Sequence, residues 1–406
     1  MTDTFKPRDD KDVLDVVAWA ISENAPLDIM GHGSKAGLGR PVQSAHSLDL
    51  SRLSGIVLYE PEELVLTAKA GTPLADILAA VDAEEQMLAF EPMDFGPLYG
   101  RPAGRGTLGG TYAANVSGPR RIEAGAARDH ALGIAGVSGR GEAFKSGGRV
   151  MKNVTGYDLT KGLAGSYGTL AVLTEITIKV MPLPETVATL YLPDLEAEVA
   201  TRAMAAAMGS DCQVSAAAHL PGALTAGVAG LEEGRSATVI RLEGFGPSVD
   251  YRVARLAGLL NPFSPAERLN PEASRALWAA IRDVAPFAQS PERPLWRLSV
   301  APTAGAGVVR RIAETVPDAR AFFDWAGGLV WLEVPQSDNA SADIVRAAVA
   351  GAGGGHATLV RADASVRAAV PVFAPQPLPL ANLSQRLKAQ YDPHGLLNPG
   401  RMVAGI

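Results

Sequence analysis

Residues 27–41, LDIMGHGSKAGLGRP, restrict the fold more than any other stretch of this 406-residue chain. An apolar run, Leu27-Asp28-Ile29-Met30, leads into Gly31-His32-Gly33-Ser34-Lys35-Ala36, which fits the dinucleotide fingerprint G-x-G-x-x-G/A. That fingerprint works only if its last small residue opens a helix whose N-terminus faces a pyrophosphate. Here the chain continues Gly37, Leu38, Gly39, Arg40, Pro41. Glycine costs about 1 kcal/mol and proline about 3 kcal/mol in a helix interior, so no helix follows and the doubly wound fold is excluded. Ser34-Lys35 does not rescue a P-loop, which needs glycine, lysine and hydroxyl in that order. What survives is a strand followed by an extended glycine turn, whose successive N–H groups can form an anion-binding nest. From this loop alone, a plain surface turn is an equal reading.

A second glycine-rich stretch changes the balance. Residues 91–121 hold seven glycines and four prolines, including GRGTLGGTYAANVSGPRR, with no long periodic segment. A loop of that length inside a compact domain is usually functional. Two loops whose small residues let backbone approach a ligand point to a large, diphosphate-containing cofactor. Around them the spacing of Val13, Val16, Val17, Ala20 and Ile21 predicts a helix over 8–24, ended by Pro26. Strands are expected at 27–30, 56–59, 64–70 and 87–90, and a helix from Thr72 as N-cap and Pro73 as first residue to about Glu85. Val172, Ile176, Ile178 and Val180 mark a strand over 170–180, and Pro182 and Pro184 stop it. From about 185, Ala-rich helices at 195–208, 251–260 and 342–352 alternate with strands at 187–192, 237–243, 295–301 and 329–334, which reads as an α+β unit with helices on one side of an antiparallel sheet. Prolines 371, 375, 377 and 379 mark a linker before a short amphipathic helix over 381–390.

Bulk properties exclude several function classes. A net charge of −6 without a Lys/Arg block argues against a nucleic-acid surface. No apolar run approaches a membrane span, and the acidic N-terminus has no secretory h-region, so a cytoplasmic protein is expected. The single cysteine, Cys212, excludes an internal disulfide and a Cys-ligated iron–sulfur cluster within this chain. Six scattered histidines offer no metal-ligand spacing, and no metal site is expected.

These motifs resemble the FAD-binding domain of the vanillyl-alcohol oxidase and p-cresol methylhydroxylase type. The resemblance rests on the first glycine turn with Gly39, on Thr107-Leu108-Gly109-Gly110…Asn115-Val116-Ser117-Gly118, and on the strand Gly168–Ile176. KNVTGYDLTKGLAGSYGTLAVLTEITIKVMP and LKAQYDPHGLLNPGRM are very similar to the 2-hydroxy-acid dehydrogenase branch, in particular to FAD-binding subunits of glycolate oxidases. The resemblance implies an α+β fold: an FAD-binding domain over 1–184 in two subdomains (about 1–60 and 61–184), an α+β cap with an antiparallel sheet over 185–370, and a segment over 371–406 that returns to the FAD domain. It implies that Gly31, His32, Gly33, Ser34, Lys35 and Gly39, with Thr107, Gly109, Gly110, Asn115, Ser117 and Gly118, hold the FAD pyrophosphate and ribityl chain through main-chain N–H groups. Ile176 would line the adenine side, and Asn398 and Arg401 would neighbour the ring; a turn that stitches the domains together is the alternative for these two. FAD is expected to be non-covalent, because relatives that attach it through a histidine carry that residue where Ser34 stands, not His32.

The family also sets a contrast. Branch members that oxidise 2-hydroxy acids carry H-x-G-D-G-N…H in the cap, and this chain has none. Its catalytic residues are therefore unassigned, with Arg297 in PLWRLSVAPT as a carboxylate clamp and His356 as weak candidates; an ion pair for Arg297 and a structural role for His219 and His356 are the bland readings. Trp296, Trp325 and Trp331 are candidates to face the ring, with core as the bland reading, since buried aromatics in a sheet are usually core. The expected activity is that of a flavoprotein subunit of a multisubunit glycolate (2-hydroxy-acid) oxidase. It would hand electrons to a partner, with a second FAD-linked subunit and an iron–sulfur subunit as partners and membrane association only through them. The alternatives are an assembly subunit with a structural FAD site and a self-sufficient FAD-dependent 2-hydroxy-acid dehydrogenase.

Overall fold

The computed structural model describes residues 3–149 and 157–405; residues 152–156 of the KNVTGYD motif lie outside the described residues. The chain builds an α+β fold from three main sheets. The first is small and parallel, in the order Asp3–Phe5, His46–Asp49, Leu27–Met30. The Asp10–Glu23 helix packs on it. Asp9 starts this helix by accepting from the N–H of Asp12, and Asn24 ends it in the left-handed region at φ 50°. Its inner face, Val13, Val17 and Ala20, meets Leu27, Leu48 and, from the far end of the chain, Leu396 and Leu397.

The second sheet is antiparallel, in the order Ile56–Glu60, Val65–Lys69, Ala171–Lys179, Ala131–Ser138, Ala143–Gly147. The Leu74–Asp82 helix covers it and differs from the sequence expectation at both ends. Its N-cap is Pro73, because the Thr72 hydroxyl is committed to the Lys69 carbonyl and to the N–H of Gly55. The strand expected over 87–90 shrinks to Gln86–Met87, paired with Met181–Pro182. Within 91–121 the chain is not all loop: Leu108–Ala113 is a short helix, with Thr107 accepting from Gly110 N at 3.2 Å.

The third sheet has eight antiparallel strands, all from residues 186–361. Their order is Glu267–Leu269, Thr186–Pro193, Ala237–Gly244, Val214–Leu220, Arg320–Asp324, Leu329–Glu333, Leu295–Ser299, His356–Arg361. Val214–Leu220 escaped the sequence reading because VSAAAHL is buried on both faces, and an alanine-rich run without alternation carries no strand period. The helices Ala197–Met208, Gly246–Leu260, Gly305–Thr315 and Ala342–Ala350 pack in the clusters around one set of sheet side chains. The expectation that all helices lie on one side is corrected by Pro271–Arg282. Its Leu277, Trp278 and Ile281 join Tyr191, Ala218 and Val239 of the sheet with Met93, Phe95 and Val116 of the long glycine-rich stretch. That second face is apolar and would otherwise face water, so burying it joins the eight-stranded sheet to residues 93–116. The C-terminal helix begins before 381 and spans Leu378–Tyr391.

Candidate functional site

A cavity of about 310 Å³ lies where the first glycine loop, the Thr107–Gly110 turn, Tyr167-Gly168 and the C-terminal segment meet. The first loop runs on from the Leu27–Met30 strand as turns and bends, not as a helix. Ala36 N bonds to Gly33 O at 3.2 Å, and Leu38 N to Lys35 O at 2.9 Å. Gly33 sits at φ +71° with open space where a Cβ would stand, so glycine is required there by backbone alone. Arg101 donates to the Gly33 carbonyl at 2.7 Å and Arg401 to the Lys35 carbonyl at 3.2 Å. With those carbonyls tied, the N–H groups of His32, Gly33, Ser34 and Lys35 bond to no described residue. A run of free donors beside a cavity is the arrangement an anionic oxygen fills.

Across the cavity, Thr107, Gly109 and Gly110 line the opposite wall. The two loops touch: a Cβ on Gly31 would stand 2.8 Å from the Thr107 hydroxyl. Gly109 is glycine for a different reason from the one expected, since its Cβ would meet the Ala70 carbonyl at 2.8 Å, where the Gly109 N–H already bonds. Gly118 is likewise pinned by protein, since a Cβ there would stand 2.5 Å from the Glu91 carbonyl. Asn115, Ser117, Gly118 and Ile176 stand behind the cavity wall, not on it. Asn115 accepts from Arg128 N at 3.1 Å, Ser117 accepts from Ala127 N at 3.0 Å, and Ile176 is fully buried in the sheet core. Gly39 also stands back; its carbonyl receives Arg367 at 2.7 Å.

The far end of the chain closes the site. Leu27 N donates to Leu396 O at 2.8 Å and Asn398 N to Leu27 O at 3.0 Å, so residues 396–398 run beside the first-loop strand like an added strand. Asn398 accepts from Ile29 N at 2.7 Å and donates to Tyr167 O at 2.8 Å. Lys388, buried, holds this segment through Asp392 at 2.6 Å and the carbonyls of Thr169 and Leu397. Asp392 in turn accepts from the N–H groups of Leu396 and Leu397.

The cavity is cationic with one unusual acid. Burial pushes the Lys35 ammonium down to about 8, opposed by the charge of Asp94. Burial pushes Asp28 up, opposed by Arg401 at 3.7 Å, and the Asp28 Oδ1 atom has no hydrogen-bond partner. Free main-chain donors, lysine and arginine at one part and an orphaned acceptor at another suit a ligand carrying both phosphate oxygens and hydroxyl or amine donors. FAD is such a ligand.

Tyr167 connects the cavity to a second group of residues. Burial pushes its hydroxyl up, opposed by the charge of nearby Arg297. Arg297 lies over the Trp325 ring at 4.9 Å and Arg121 at 4.7 Å. Trp325 donates to the Gly118 carbonyl at 3.0 Å and sits in the left-handed region with Ala326, at φ 50° and 56°. Such strain in two adjacent non-glycine residues persists only where the surroundings hold it. Asp324, next in chain, is pushed up to about 7 by burial. Neither Arg297 nor Arg121 pairs with a carboxylate among the described residues, so the ion-pair reading of Arg297 fails. His356 is elsewhere: exposed, opposite Ser299 at the end of an edge strand. His219 is buried against Thr238 at 2.9 Å and pushed down to about 4 by burial, which makes it structural.

Sequence reasoning missed Asp28, Tyr167, Arg367 and Arg121. Asp28 interrupts an apolar strand and carried a readable signal; the other three are brought together by contacts distant in sequence. Among the described residues no three His, Cys, Asp or Glu side chains converge as a metal site.

The model of the FAD binding domain family matches residues 4–147. The glycolate oxidase subunit GlcE of Escherichia coli is 37% identical over 395 residues, covering 97% of each chain. A D-lactate dehydrogenase of Anaerostipes hadrus is 36% identical over 156 residues, 38% of this chain and 31% of that enzyme. Among solved structures, substrate-bound p-cresol methylhydroxylase superposes with a TM-score of 0.70 at 15% identity, over 99% of this chain and 88% of that one, a likeness of fold.

Proposed function

This chain belongs to the family of the FAD-linked glycolate oxidase subunit GlcE, and on that premise we propose that it is the FAD-binding flavoprotein subunit of a multisubunit oxidase of glycolate or a similarly small 2-hydroxy acid. The observation that carries this reading is the row of free N–H groups over His32–Lys35 beside a cationic cavity. When bound, FAD supplies the two-electron chemistry; the chain's residues bind, orient and shield it. Gly31–Lys35 hold its diphosphate, Thr107, Gly109 and Gly110 form the facing wall, and Asp28 takes a donor of the nucleoside. Binding is non-covalent. Arg297, Arg121 and Tyr167 provide the place for a small carboxylate, since two unpaired guanidiniums beside an indole favour one. The chain divides at 184/185 into an FAD-binding part and a cap, with 371–406 returning to the first.

Electrons leave through a partner; the H-x-G-D-G-N…H segment of oxidising members does not occur in this sequence. The partners are a second FAD-linked subunit and an iron–sulfur subunit, the complex being cytoplasmic or membrane-associated through a partner. Among the described residues no helix is long and apolar enough to cross a membrane. The test has two stages. The purified chain, given FAD and desalted, should retain a flavin spectrum; a chain that stays colourless ends the FAD reading. Glycolate-dependent dye reduction should then be negligible with this chain alone and appear on adding its partners. Robust turnover alone would establish the self-sufficient dehydrogenase instead, and full activity of a complex whose FAD loops here are disabled would establish the assembly subunit.

A further inference from the structure

Lys35 projects from the first loop to the second. Its Nζ lies 3.8 Å and 3.9 Å from where a Cβ would stand on Gly110 and Gly106. It forms no hydrogen bond or ion pair with a described residue, and its nearest ring is Phe95, 5.7 Å away. The acid that acts on it, Asp94, is already occupied: its two oxygens accept from Gly96 N at 2.9 Å and Gly104 N at 2.6 Å. The other charged groups at this loop are guanidiniums, Arg101 and Arg401, each committed to a loop carbonyl. Three cations, Lys35, Arg101 and Arg401, thus surround the free N–H row; the carboxylates near them are Asp28, 3.7 Å from Arg401, and the occupied Asp94, and neither pairs with Lys35. A half-buried ammonium on the cavity wall, beside the free N–H row and without a protein partner, is the side chain that an anion entering the cavity meets.

Resting on the FAD reading above, we infer that the Lys35 ammonium is the side-chain counter-charge of the FAD diphosphate, and that it takes up a proton when the cofactor binds in alkaline solution. The proton comes from buffer and ends on Nζ; no covalent bond changes. The direction follows from electrostatics. In the free protein burial holds the group down at about 8. A diphosphate beside it raises that value, so affinity for FAD falls as pH climbs past the free-protein value.

Calorimetric titration of the apo-chain with FAD tests this, at about pH 7 and about pH 9.5, in two buffers of different ionisation enthalpy. The wild-type chain should bind at least tenfold more weakly at the higher pH, with net proton uptake. K35R, charged throughout, should bind with little change and no uptake, which also controls for titration of the flavin itself. K35M should bind about ten- to a hundredfold more weakly at neutral pH, the loss of about 1.4–2.8 kcal/mol. Wild-type binding without proton uptake, or K35M binding as tightly as wild type, overturns the inference. If K35M does not fold by circular dichroism, the wild-type and K35R pair still decides through proton uptake. A wild-type chain that binds no FAD at either pH defeats the FAD reading itself.

Discussion

Asn398 satisfies three backbone groups at once: it accepts from Ile29 N, donates to Tyr167 O through its side chain and reaches Leu27 O through its own N–H. It does so at φ 44°, a conformation asparagine tolerates better than most residues. The N-P-G motif flagged it as a neighbour of the ring; its partners, more than 200 residues away, could not be read from local pattern. Asn398→Asp retains the acceptor and loses the amide donor, whereas Asn398→Ala loses both. An unpaired buried polar group costs about 1–3 kcal/mol. The alanine variant should therefore melt several degrees lower and bind FAD more weakly, with the aspartate variant between, as thermal melts and flavin titrations would register. Equal melting of all three chains would refute this role.

At the scale of elements, the glycines separate into two kinds that the letter G does not distinguish. Gly33 is glycine because of its backbone angle, with nothing near its missing Cβ; Gly109 is glycine because Ala70, just past the Val65–Lys69 strand, occupies that place. Gly33→Ala should cost about 1–2 kcal/mol, the price of a left-handed backbone in an L-residue. Gly109→Ala must push the Leu108–Ala113 helix off the strand it packs on, and should lower the melting temperature distinctly more. Differential scanning calorimetry of the pair orders them; the reverse order would contradict the assignment. The same limit explains which elements were legible. The Asp10–Glu23 helix carried its own caps and an apolar stripe, and was readable almost to the residue. Helix Leu108–Ala113, starting LGGT, has propensities that argue against it and exists because tertiary packing overrides them.

Over the whole molecule, the joint between the eight-stranded sheet and the rest is ionic as well as apolar. Arg241 grips Glu91 through two nitrogens at 2.8 and 3.0 Å, and Arg120 grips Glu243 at 2.6 and 3.1 Å. Burial alone would push the Glu91 carboxyl up, but Arg241 and Arg120 outweigh it and hold the group down at about 2. Since the folded value is depressed, the stabilisation is complete above the unfolded value near 4.3 and is lost as pH falls from there toward 2. Glu91→Gln leaves two buried guanidiniums short of charge and should destabilise by about 3 kcal/mol at neutral pH. Denaturant unfolding from pH 7 to pH 3 should show the wild-type advantage shrinking with acid; an advantage that stays constant would exclude this linkage. The α+β class and the two glycine-rich loops that line the cavity were legible because they lie in contiguous sequence. This joint was not, because its four residues come from three separate stretches and each alone reads as a solvated charge.

The pairing of Leu396–Asn398 with Leu27–Ile29 also sets an order in time. Residues 31–35 leave the ribosome long before Asn398 and Arg401, so an emerging chain carries the first glycine loop with Arg101 as its earlier brace. The pairing of Leu396–Asn398 therefore forms only at the end of synthesis, and a chain interrupted before Asn398 lacks its bonds to Leu27, Ile29 and Tyr167.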